Sequence, residues 1–62
     1  MNITERIEMV LEAIKGSKAR AQAARAKGEL KDYAIAMEDV IALEATLVGE
    51  AEILVDEIKK AA

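Results

Sequence analysis

From Ile3 to Ala24 the chain repeats apolar or small residues at alternating steps of four and three: Ile3, Ile7, Val10, Ile14, Ser17, Ala21 and Ala24. That period holds one side of an α-helix against one neighbour, and a β-strand, with its two-residue alternation, has no use for it. Ile7 and Ile14 take heptad position a, Ile3 and Val10 take d, and Leu11 widens the stripe at e. The seven-residue step returns in the second half. Leu30, Met37, Glu44, Ala51 and Ile58 form one column, and Tyr33, Val40, Leu47, Leu54 and Ala61 a second. A third runs through Ala34, Ile41, Val48, Val55 and Ala62. The 62 residues contain no proline, so nothing in the covalent chain breaks either run,.

One stop signal separates the two runs. Lys27-Gly28 reads as a helix C-terminus, because glycine takes the left-handed cap conformation without a Cβ clash. Leu30 is then placed to pack back on the last turn. At the front, Asn2-Ile3-Thr4-Glu5 reads as a capping box. The expectation is an all-α chain, one antiparallel helical hairpin over residues 1–62. Helix 1 spans about 3–27, the turn about 28–30 and helix 2 about 30–60. Gly16 and Gly49 lack turn partners and are read as tolerated within helices. A short connection makes the helices antiparallel neighbours. Positions whose numbers sum to roughly 58–60 then face each other. The alanine-rich half of helix 1 lies opposite Tyr33, Met37 and Val40, and Ile3 to Ile14 lie opposite Leu47 to Ile58.

Three apolar columns in seven make a wider face than one partner helix covers. Length sharpens the point, since a chain near 60 residues buries only about 60% of the surface its unfolded form exposes. There is no cysteine or histidine to add a disulfide or a Cys/His zinc site,. The expected assembly is therefore a homodimeric four-helix bundle, its dimer or partner interface drawn from Leu11, Ile35, Met37, Val40, Ile41, Leu43, Leu47, Val48 and Val55. A hairpin docked on a different protein is the alternative. Parallel and antiparallel pairings of two hairpins bury similar columns, so the sequence leaves the dimer topology open.

The net charge of −3 conceals segregation. Lys15, Lys18, Arg20, Arg25, Lys27 and Lys31 cluster around the turn with only Glu29 against them. Residues 32–57 carry Asp32, Glu38, Asp39, Glu44, Glu50, Glu52, Asp56 and Glu57 and no base. The basic tip is a candidate surface for an anion or nucleic acid. The competing account is that it pairs with Asp32, Glu38 and Asp39, while Glu5, Glu8 and Glu12 pair with Lys59 and Lys60 and fix the register. Glu44, at an a position, is expected to join Ser17 in a buried polar layer.

Catalytic chemistry finds no footing. Ser17 and Thr46 have no histidine to activate them, and Gly16, Gly28 and Gly49 are isolated rather than a phosphate-binding loop. Glu5, Glu8, Glu12, Glu52 and Asp56 fall at outer heptad positions and read as solvated faces rather than a metal site. No enzyme activity, metal or cofactor is expected. The N-terminal stretch is acidic and the longest apolar run, Val40 to Val48, is too short to span a bilayer, so a cytoplasmic chain without membrane contact is expected. By elimination the chain works by binding. The leading expectation is a small protein-interaction regulator (an adaptor, inhibitor or antagonist of a larger protein) acting as a helical homodimer, a type that phages and mobile elements often encode. RNA or DNA binding by the basic tip is the second, and a self-assembling structural subunit the third.

Overall fold

Residues 1–62 are described throughout by a computed structural model. Two α-helices account for nearly all of them: α1, Ile3–Ala26, and α2, Leu30–Ala61. Both lie within two residues of the boundaries that periodicity predicts. At the start of α1 the Asn2 side chain accepts a hydrogen bond from the Glu5 amide at 2.8 Å, which satisfies one of the orphan donors of the first turn. Glu5 does not return the bond, so half of the predicted capping box forms.

The end of α1 is a Schellman motif. Gly28 sits at φ +74°. Its amide donates to the Arg25 carbonyl at 3.1 Å, and the Glu29 amide reaches the Ala24 carbonyl at 2.9 Å,. Leu30 does not pack back on this turn as the sequence suggests; it is 69% exposed. At the other boundary, α2 begins with Glu29 at its N-cap and no side-chain hydrogen bond on the open amides. Asp32, one turn on, holds the Glu29 carboxyl above the usual carboxylate range. A hydrogen bond that the protonated acid makes to Asp32 contributes most, then lost hydration, then like-charge repulsion,.

These two backbone environments give opposite expectations for glycine replacement. Gly28→Ala is expected to cost about 1–2 kcal/mol, because it forces a Cβ into the left-handed region. Gly49 lies inside α2, and a Cβ there would meet nothing within 4 Å. Gly49→Ala should therefore raise stability by up to about 1 kcal/mol. Urea denaturation of the two variants side by side checks both signs.

Packing follows the 4-3 seam of α1. Ile3, Ile14, Ser17, Ala21 and Ala24 are buried, and Ile7 and Val10 are half-buried. The α2 side is narrower than three columns. Tyr33, Ala36, Val40, Leu43, Leu47, Glu50 and Leu54 are the buried or half-buried positions that meet it, together with Met37. They too run at steps of three and four. Bulk alone hides this seam, because alanine and glutamate occupy two of its places. Alanine faces alanine near the turn, where Ala24 and Ala36 are both buried. Farther out the seam is closed by larger side chains, with Val40 only 2% exposed. Small residues at one end and branched ones at the other let the helices stay close over their shared length.

The result is a rod of 50 × 15 × 14 Å. Its radius of gyration is 14.7 Å, against about 11 Å for a compact 62-residue domain. Since α2 is 32 residues and α1 is 24, α2 runs on past the start of α1. Every residue after Leu54 is exposed. No helix is long and apolar enough to cross a membrane.

Candidate interaction surface

The hairpin has two broad sides, and they differ in chemistry. On one side a groove is lined by Glu12, Ala13, Gly16, Ser17, Arg20, Asp39, Ala42 and Leu43. It continues past Arg20 to Asp32, Ile35 and Ala36. Acids and bases alternate here around small residues. Arg20 Nη2 donates to the hydroxyl of Ser17 at 2.7 Å. That bond satisfies a side chain only 1% exposed, so Ser17 belongs to a polar contact made within α1.

On the opposite side Lys18, Ala21, Gln22 and Arg25 share a groove with Tyr33 and Met37. Stepping by helical turns from Met37 leads along α2 to Ile41, Glu44, Val48, Val55 and Ile58, and from Lys18 along α1 to Leu11 and Ile7. Ile41 is 64% exposed, Val48 58% and Ile58 60%. This side is an open face with a row of apolar residues; Lys18 and Arg25 lie on it toward the turn, and Glu52, Asp56 and Lys59 share a groove with Val48 and Val55 toward the far end.

The sequence-predicted site residues divide accordingly. Leu11, Ile41, Val48 and Val55 lie on the open apolar face and are exposed. Val40 does not, because it is sealed inside the hairpin and offers no surface to a partner. Met37, Leu43 and Leu47 are half-buried in the seam. Ile35 is exposed but lies on the polar side, beside Arg20, Asp32 and Asp39. Glu44, expected with Ser17 in one buried layer, is exposed in this chain. The reason is the register of α2. Leu43 and Leu47 turn toward α1, and the residue after Leu43 is carried out onto the open face.

Charge pairing also differs from expectation. One ion pair joins the helices: Arg6 donates from both Nε, at 3.0 Å, and Nη2, at 2.9 Å, to the same oxygen, Oε2 of Glu50. Sequence reading missed it because Glu50 occupies a seam position, where apolar residues are sought. Lys15, Lys18, Arg20, Arg25, Lys27 and Lys31 make no ion pair with Asp32, Glu38 or Asp39, and Glu5, Glu8 and Glu12 make none with Lys59 or Lys60. The basic tip is therefore not neutralised by direct contact, although α2 acids lie nearby.

No family model, curated protein or solved structure matches the chain. Its surface chemistry is the remaining guide. No three acidic side chains converge on a common point. The grooves on both sides are shallow and open, without the enclosed, mostly apolar shape of a small-molecule pocket.

Proposed function

We propose that the chain is a non-catalytic, helical protein-interaction module, and that its working unit is a homodimeric four-helix bundle that regulates a larger protein. One observation carries this reading: the exposed apolar face of Leu11, Ile41, Val48, Val55 and Ile58 on a chain that buries only 7 of its 62 residues. Isolated exposed apolar side chains are ordinary, but a contiguous row along one side of a rod marks a surface made for contact. The total accessible surface supports the same reading. It is 4720 Å², whereas a compact monomer of 6.7 kDa exposes about 3,900 Å². The excess, about 800 Å², is what one partner contributes to a standard interface.

With the apolar face occupied by a second copy, the polar side and the basic tip remain available to a larger protein. Ile35 and Met9, exposed at 51% and 57%, stand outside the dimer face and supply apolar anchors for it. The experiment is light scattering across a hundredfold range of chain concentration, followed by capture of partners on the immobilised chain. A mass of two chains supports the homodimer. Growth without limit would favour a self-assembling subunit instead, and a constant mass of one chain would remove the dimer.

A second reading rests on the unpaired basic tip. Lys15, Lys18, Arg25, Lys27 and Lys31 are exposed and free of ion pairs, which suits phosphate contacts with RNA or DNA. No aromatic residue is interleaved among them, so base stacking has no platform. Affinity for mixed-sequence RNA or duplex DNA should then fall steeply between low and moderate salt. Undetectable binding at low salt removes this reading.

A further inference from the structure

We infer that the larger protein presents an acidic amphipathic helix, and that this helix lies in the groove between α1 and α2 beside the turn. This deepens the reading of the chain as a module that regulates a larger protein, and rests on that reading but not on the number of copies. The groove holds Lys18, Ala21, Gln22, Arg25, Tyr33 and Met37. Its two walls follow from helix geometry. On α1, Lys15, Lys18, Gln22 and Arg25 succeed one another at steps of three, four and three, and all are exposed. On α2, Leu30, Ala34, Met37 and Ile41 do so at steps of four, three and four. One wall is basic and the other apolar.

The basic wall has no partner within its own chain. None of its side chains makes a hydrogen bond or an ion pair. Asp32 and Asp39 line the opposite side of the hairpin. Glu38 stands behind the apolar wall in the same helical column as Lys31, so that edge of α2 is close to neutral. The first acid in the wall's own row is Glu44, two turns beyond Met37. The apolar wall is equally unpartnered. Leu30 is 69% exposed and Ile41 64%, although both follow the row of the half-buried Met37. Leu30 stands at the turn, past the end of the row from Ile41 to Ile58 proposed for the second copy. An acidic helix fits both walls at once. Ridges of side chains three and four apart pack into a groove of the same spacing. Lys15 to Arg25 span about 15 Å of α1, room for carboxylates on successive turns. The apolar edge of the same helix then covers Leu30, Met37 and Ile41. A nucleic-acid strand meets the bases but leaves that wall in water. Tyr33, the only aromatic residue, is half-buried rather than standing out as a stacking platform.

Tyr33 makes the test direct. The chain has no tryptophan or phenylalanine, so tyrosine emission reports this groove alone. The probe is a synthetic helical peptide of about 18 residues, free of aromatics, whose glutamates border a leucine stripe at steps of three and four. Its counterpart carries lysine for every glutamate, and duplex DNA of mixed sequence is the third ligand. The acidic peptide is expected to give a saturable change in Tyr33 emission and to bind at least about tenfold more tightly than its counterpart. Lys18→Glu combined with Arg25→Glu should weaken it by about tenfold or more, and Leu30→Ala by about tenfold. All three positions are exposed, so the hairpin keeps its fold, which circular dichroism checks. Lys27→Gln, outside the groove, should leave the affinity unchanged. No saturable change, equal binding of the lysine peptide, or an affinity unmoved by Leu30→Ala overturns the inference. Tighter binding of the DNA at the same salt overturns it in favour of the nucleic-acid reading. Light scattering on the same samples separates the two claims. A dimer that does not bind the acidic peptide loses this groove only, and a single chain that binds it loses the homodimer only.

Discussion

Ile14→Ala is expected to lower the melting temperature by at least about 10 °C at fixed chain concentration, the largest loss from any single truncation on α1. Ile14 is 7% exposed and lies in the seam at the level where α2 presents Leu43 and Leu47. Removing its branched side chain forfeits transfer free energy and leaves a cavity that two helices with few other contacts cannot fill. Together these cost about 2–5 kcal/mol. A chain of 62 residues has a total stability of only about 3–9 kcal/mol on the usual per-residue scale. One truncation therefore removes a large share of it, and each kcal/mol moves the midpoint of so small a domain by about 4–8 °C. Ile14→Val keeps most of the volume and is expected to cost about 0.5–1.5 kcal/mol. Met9→Ala supplies the control. Met9 is on the same helix and 57% exposed, so its truncation should stay within about 0.5 kcal/mol. Thermal melts followed by circular dichroism rank the three. An Ile14→Ala midpoint close to that of Met9→Ala would mean that the seam does not hold the hairpin together.

The same seam shows what the sequence reveals and what it conceals. In α1 every seam position is apolar or small, and the outer positions are mostly charged or alanine. The spacing alone therefore identifies the side that meets α2, and Ile3, Ile14, Ala21 and Ala24 are all buried. The turn is equally legible, since Gly28 stands between the two periodic runs, where a left-handed residue is needed and glycine takes that conformation without a Cβ clash. In α2 large apolar residues surround much of the helix, so bulk no longer distinguishes inside from outside. Ala36 and Glu50 hold seam places, while Ile41, Val48 and Val55 look like core and lie exposed. The choice between those sides is made by pairing: alanine opposite alanine near the turn and Arg6 opposite Glu50 farther out. Such pairing requires both helices in register, which no window along one helix contains. For the same reason Glu44 reads as a buried polar residue from its column neighbours, Met37 and Ala51, although the hairpin leaves it outside.

Val48→Asp is expected to halve the mass in solution, from two chains to one, while the far-ultraviolet spectrum stays helical. Val48 is 58% exposed and makes no part of the seam, so the hairpin itself loses little when a charge replaces it. In a dimer closed over this face that charge would be buried against the second copy, and again at the symmetry-related site. Leaving a carboxylate unpaired in a closed apolar contact costs several kcal/mol, and two such sites act on a single association. An interface of about 800 Å² per chain cannot absorb that, so the dissociation constant should rise by three orders of magnitude or more. Light scattering and sedimentation at the concentrations used for the parent chain measure it. A variant that remains dimeric would place the interface elsewhere on the rod, with the polar groove beside Arg20 and Ile35 as the next surface to disable. A variant that loses both mass and helicity would show that α1 and α2 need the second copy in order to fold at all. The open face would then be part of the core rather than a docking site, because a seam that includes Ser17, Ala21, Ala24 and Ala36 supplies too little apolar burial to order the helices without it.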